Sequence, residues 1–226
     1  MKILFIIAYN IYQEYYIDCI NTLKNVIDNY YDKHLVDIAC INSNGDFTNI
    51  EGILSLKFKI KNPKLQFDKI CDFISSNSLD YDWFIKLRPD IKIFEPIDFS
   101  KLDQNAINAR ARVYTGNLKL KNAASVGGKG IAEHNVRDTC GAPFDIVMDD
   151  IIYIFHKNVI LNSGFSIIND DIKDNFYNLL SYHPKIQHEW FHTYVWNTRK
   201  IPFNIISINM CIITQNGNCR YSGDIN

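Results

Sequence analysis

The 226-residue chain reads as an α/β domain, a mainly parallel sheet flanked by helices. Three observations predict this. The first stretch, KILFIIAY (2–9), is a continuous apolar run of the kind buried on both faces of a parallel sheet. Strand-like runs and segments of helical period then alternate along the chain. Finally, the apolar run of DYDWFIKLRPDIKIF (80–94) stops at Arg88-Pro89-Asp90, a cation, a strand breaker and a carboxylate. In open α/β sheets, ligands bind beyond the carboxyl ends of the strands.

The elements follow in order. After the first strand, EYYIDCINTLKNVIDNYY (14–31) places Tyr16, Ile20, Leu23 and Ile27 at helical spacing. LVDIACI (35–41) is a second strand, closed by the turn cluster NSNGD. GILSLKFKI (52–60) alternates and reads as a third strand. KLQFDKICDFISS (64–76) is a second helix, with Leu65, Phe67, Ile70, Phe73 and Ile74 on its inner side. The stretch from residue 80 is the fourth strand, whose pairing ends at Pro89 because proline has no N–H for the ladder. NAINARARVY (105–114) is a fifth. Residues 114–147 are polar, glycine-containing and without a sustained period, which reads as a functional loop or lid. Order resumes at MDDIIYIFHKNVI (148–160), and residues 170–182 and 186–200 read as helices. FNIISINMCII (203–213) is a last strand, and residues 214–226 are expected to fray. With no internal repeat or linker, residues 1–226 form a single domain.

Composition narrows the function. A formal net charge of −1 with interspersed charges gives no general attraction to nucleic acid. The six cysteines show no C-x-x-C spacing, and their scatter suits reduced thiols in the cytoplasm. The N-terminal apolar run is short and lacks a small-residue cleavage site, so it reads as a strand rather than a signal peptide. No run approaches the roughly 18 apolar residues of a membrane span. A soluble cytoplasmic protein is expected.

Four short motifs carry potential chemistry. GGKG (127–130) fails the phosphate-loop pattern, since Gly130 follows Lys129 where Ser or Thr is required, and it reads as loop. HEWFH (188–192) matches H-E-x-x-H, in which His188 and His192 on one helix face could hold zinc beside Glu189. A zinc peptidase is therefore an alternative, although no His or Glu follows His192 as a third ligand. Asp149 and Asp150 in MDD either cap a helix or face the crevice. Arg88 and Asp90 either close a loop as an ion pair or hold a ligand.

At YDWFIKLRPDIKIF, MDDIIYIFHKNVI and HPKIQHEWFHTYVWNTRKIPF, the sequence resembles GT-A-type glycosyltransferases of bacterial polysaccharide loci and large DNA viruses. The resemblance runs through most of the chain in order. It implies a GT-A-like, Rossmann-type fold and transfer of a hexose or pentose from a nucleotide-diphosphate sugar, with UDP the expected nucleotide, to a hydroxyl of a glycan. In that family, a D-x-D at this strand end binds Mn²⁺ or Mg²⁺ and the donor diphosphate. Here Arg88-Pro89-Asp90 puts a cation in the first position. Asp90 carries over as metal or ribose ligand, and the planar fork of Arg88 suits a phosphate. Ala8, Tyr9 and Asn10 fall where the base and ribose lie. Asp150 matches the Asp of the family's N-D-Q-F segment and is the expected general base, with Asp149 beside it. A late histidine completes many such metal sites, and His183, His188 and His192 are the candidates. Further alternatives are a nucleotidyltransferase, whose glycine-rich signature is missing after the first strand, and an inactive sugar-binding module, which the missing first Asp permits.

Overall fold

A computed structural model describes residues 1–63, 67–113, 146–162, 165, 188–206 and 208–222, with backbone only at 111–113, 146–150, 188–190 and 219–222. The opening apolar run forms β1 (Lys2–Tyr9), which lies near the middle of a seven-stranded sheet. β2 (Leu35–Asn42) and β4 (Trp83–Leu87) flank β1 in parallel, with Lys2 opposite Leu35 and Ile3 opposite Trp83. β3 (Phe58–Lys61) extends the sheet beyond β2. On the other side follow β7 (Ile146–His156), β6 (Ile107–Val113) and β8 (Phe203–Ile205), giving the order β3-β2-β1-β4-β7-β6-β8. Of these strands β7 alone runs against the rest. A second sheet has the order β10-β9-β5, from β10 (Cys219–Ser222), β9 (Met210–Ile213) and β5 (Ile91–Ile93), all antiparallel.

The two faces of β1 explain its unbroken hydrophobicity. Ile3, Phe5 and Ile7 point to one face and meet Ile20, Leu23 and Ile27 of α1 (Tyr16–Tyr31), with Trp83, Ile85 and Leu87 of β4. Leu4 and Ile6 point to the other and meet Ile70, Cys71 and Ile74 of α3 (Phe67–Ser76). That face continues through Phe84, Tyr153 and Phe155 to Trp196 on α5 (His188–Thr198), beside the short α4 (Lys157–Asn162). Alternate strand residues thus each enter a core, and each fully buried Leu, Ile or Phe side chain contributes about 1.5–3 kcal/mol.

Three expectations change. Of the predicted strand 52–60 only residues 58–60 lie in a strand, β3, which runs on to Lys61; before it, α2 (Thr48–Glu51) and the turn after it place Ile50 and Leu54 in the α1-side core. The alternation that suggested a strand there is a one-turn helical spacing instead. The predicted strand 203–213 is two strands in different sheets, because Ile206 and Ile208 turn into the core between them. Residues 214–222 form a hairpin with β9 rather than a fraying tail: Gly217 takes φ +74°, and Thr214 and Asn218 close the turn, the Thr214 N–H bonding the Asn218 carbonyl at 3.0 Å. Residues 114–145, with the GGKG stretch, and the helix predicted at 170–182 lie outside the described residues. β7 already begins at Ile146.

Candidate functional site

The site begins where β4 leaves the large sheet. The Arg88 N–H still bonds the Ile151 carbonyl of β7 at 3.1 Å. Pro89 has no N–H to offer. The Asp90 carbonyl then accepts from the Ile213 N–H of β9 at 2.8 Å, and Ile91 opens β5 in the second sheet. Arg88-Pro89-Asp90 is therefore the crossing between two sheets, and the proline sits at the one step where no ladder bond is made.

The two side chains form a doubly hydrogen-bonded ion pair. Arg88 Nε donates to Asp90 Oδ1 at 3.0 Å, and Nη2 donates to Oδ2. The partners are unequally covered: the Asp90 side chain is 8% exposed and that of Arg88 36%. The pair lines an open cleft of about 390 Å³ with Tyr15, Ile212, Ile213, Thr214, Gln215 and Asn216. Behind Tyr15 stands an edge-to-face cluster of aromatic rings, with Tyr15–Tyr16 centroids 4.7 Å apart, Tyr12–Tyr16 5.6 Å and Tyr9–Tyr16 6.2 Å. Burial raises the Tyr16 phenol well above its ordinary value, so it stays neutral. Burial also pushes the thiol of Cys19, packed against Cys211, Ile213 and Tyr15, up to about 12. The cleft thus presents a cation backed by a buried carboxylate, the aromatic ring of Tyr15 and a polar hairpin. Such a surface can bind an anionic ligand that carries an aromatic or polar body.

The first-strand residues divide. Ala8 and Tyr9 are buried at 3% and 4%, and the Tyr9 hydroxyl is occupied, donating to the Asp46 carbonyl at 3.3 Å and accepting from Asn42 Nδ2 at 3.0 Å. Asn10, at the strand's end, is exposed, and its carbonyl accepts from the Ser43 N–H at 3.2 Å. Asn42 organises this edge. Fully buried, it also donates to the Asp46 carbonyl at 2.6 Å and accepts from the Gly45 N–H at 2.7 Å, where Gly45 takes φ +81°. Tyr9 and Asn42 therefore shape the loop after β2, and Asn10 is the member of the trio that a ligand can reach.

Asp149 and Asp150 lie within β7, so they cap no helix; their side chains are outside the described atoms. Leu87 pairs with Ile152, and this antiparallel register carries the backbone of both past the end of β4, alongside the Arg88-Pro89-Asp90 crossing. His192 is elsewhere, on the α3 face. Its ring stacks on Phe67 with centroids 3.7 Å apart, and Nδ1 is 2.9 Å from the Tyr153 hydroxyl. It is a core histidine, buried against the aromatic cluster around Trp196, which weakens the zinc-peptidase alternative. The His188 side chain and His183 lie outside what is described. Each Asp90 oxygen already accepts one guanidinium N–H, so a divalent cation at Asp90 would share that carboxylate with Arg88. Among the described residues no three His, Cys, Asp or Glu side chains converge.

Sequence reading missed Tyr15 and the wall from Ile212 to Asn216. The wall had a signal: Asn216-Gly217 between MCII and CRYS is a hairpin turn signature. Tyr15 had none, since its place depends on how the turn before α1 meets β9.

No protein-family model matches the chain, and no curated protein matches it in sequence. Solved structures do. An active-site mutant of LgtC superposes with a TM-score of 0.50 at 9% identity, over 86% of this chain and 70% of that one. The chain has the GT-A fold. Two further GT-A neighbours are mouse xyloside xylosyltransferase 1, with TM-score 0.47, 10% identity and coverage of 92% and 86%, and the bifunctional glycosyltransferase WbbM, with TM-score 0.47, 12% identity and coverage of 91% and 39%. Within this GT-A fold, the Arg88–Asp90 cleft lies beyond the carboxyl end of a central parallel strand, where ligands of open α/β sheets bind. Among the described residues no helix is long and apolar enough to cross a membrane.

Proposed function

We propose that this chain is a glycosyltransferase that moves a hexose or pentose from a nucleotide-diphosphate sugar, UDP-linked, to a hydroxyl of a glycan acceptor. The observation that carries the reading is the Arg88–Asp90 pair, with its cation towards the cleft at the end of β4. Cleaving the anomeric bond builds negative charge on the departing diphosphate. A guanidinium fixed in place stabilises that charge without reorganising at the moment of reaction. Asp90 holds the guanidinium with two hydrogen bonds, Tyr15 offers a ring face, and Asn10 with the loop after β2 is our candidate for the nucleotide side. Asp150, carried alongside by the register of β7, is the base that deprotonates the acceptor if the reaction inverts.

A place in polysaccharide assembly in the cytoplasm follows from the same reading. Its support is the scatter of the six cysteines along the chain without C-x-x-C spacing, which suits reduced thiols. The test is incubation of the purified protein with a panel of nucleotide sugars and oligosaccharide acceptors, with detection of released nucleoside diphosphate. At least one donor is expected to be turned over; binding and turnover of none would overturn the proposal.

A further inference from the structure

We infer that Arg88 takes the place of a divalent cation in holding the donor diphosphate, so that donor binding needs no metal. The inference rests on the glycosyltransferase reading above and concerns how that site neutralises charge. The argument is one of order and coverage. A metal-dependent site presents carboxylates to the cleft, and the ion stands between them and the phosphates. Here the carboxylate is underneath: the Asp90 side chain is 8% exposed, and both its oxygens accept from the guanidinium. The cation is on top, at 36% exposed, among the residues that line the cleft.

A divalent ion approaching Asp90 therefore meets a positive charge first, on a carboxylate that a two-bonded arginine already partly neutralises. A diphosphate approaching the same surface meets the attractive partner first. Its own oxygens match the fork of a guanidinium, which a carboxylate already orients. Among the described residues lining the cleft Asp90 is the only carboxylate. The backbone supports the same role. The Arg88 backbone is tied to β7 and that of Asp90 to β9, which fixes the backbone of the pair between two sheets. Asp90 acts as a positioning residue, and Arg88 as the group that touches the donor.

The experiment is calorimetric titration of the intact chain with UDP, GDP and dTDP, once in excess EDTA and once in excess MnCl₂, on the wild type and on Arg88→Ala and Arg88→Lys. The expected result is one nucleotide bound with a Kd within about threefold in the two buffers. Arg88→Ala should weaken binding in EDTA on the order of 10- to 100-fold, the worth of charge-assisted hydrogen bonds. Arg88→Lys, which keeps the charge and loses the fork, should fall between. Thermal melts check that each variant is folded; if Arg88→Ala does not fold, Arg88→Lys and the wild-type buffer comparison carry the test. Binding that requires MnCl₂ would overturn the inference and leave the glycosyltransferase reading standing. Binding in EDTA that is indifferent to both substitutions would also overturn it. Binding of no nucleotide in either buffer would remove both.

Discussion

Replacing Asp90 by Asn tests whether the pair at the end of β4 is a site or a loop closure. The substitution keeps the volume but removes the charge, and it leaves one acceptor where Arg88 now finds two. Each charge-assisted hydrogen bond is worth about 1.5–3 kcal/mol and a neutral one about 1. Arg88 is more than one-third exposed, so water recovers part of the difference. The net cost to stability is then about 1–2 kcal/mol, a fall in urea midpoint of roughly 0.5–1 M at an m value near 2 kcal/mol/M. That leaves most molecules folded. Turnover should fall much further, by at least about 100-fold, the scale of losing one fixed electrostatic contact in a transition state. The assay pairs urea unfolding with acceptor-dependent release of nucleoside diphosphate on the same preparation. A variant that loses the expected stability yet turns over like the wild type would refute the reasoning and leave Arg88 and Asp90 as a structural clasp.

Three other outcomes are expected. Trp196→Ala removes a fully buried indole packed against Phe67, Tyr153 and Phe155, and should cost about 3–5 kcal/mol in chemical denaturation with only an indirect effect on nucleotide affinity. Burial lowers the pKa of His156 below its ordinary 6.5, and its unprotonated Nδ1 accepts from the Asn158 N–H at 3.2 Å. The unfolded chain therefore binds the proton first as pH falls through about 6.5, so stability rises with pH across the window just below that value; His156→Gln should flatten this slope in melts taken from pH 5 to 7. Asp150→Asn should lower acceptor-dependent turnover by about 10²–10⁴-fold while nucleotide Kd by calorimetry stays near the wild-type value, whereas Asp149→Asn should spare turnover, because neighbours on an extended strand face opposite sides.

The central sheet was legible because its strands are buried on both faces, and a run such as Ile3–Tyr9 has few other places to go. The carboxyl end of β4 was legible for a related reason: Pro89 forbids a ladder bond, so the charges beside it had to mark an exit. What was not legible depends on tertiary packing. Ile50 and Leu54 sit in a helical turn because α1 offers a core beneath them, although their segment alternates like a strand. Residues 203–213 look like one strand, but Ile206 and Ile208 leave one sheet for the core before β9 joins another. The second sheet itself was invisible, since its strands β5 and β9 are far apart in sequence and meet only in space. Five of the eight described residues lining the candidate cleft, from Ile212 to Asn216, went unseen with it.

The central claim is that the cleft around Arg88 binds the diphosphate of a nucleotide sugar. It is tested most directly by thermal shift of wild type and Arg88→Ala against a panel of nucleotide sugars, followed by turnover with the donor that binds. A true donor at a hundred times its Kd raises apparent stability by about 2.7 kcal/mol. The account predicts that one donor does so for the wild type, that Arg88→Ala loses most of the shift while remaining folded, and that the same donor is turned over. A shift of equal size in both proteins, or none for any donor in the wild type, would contradict it.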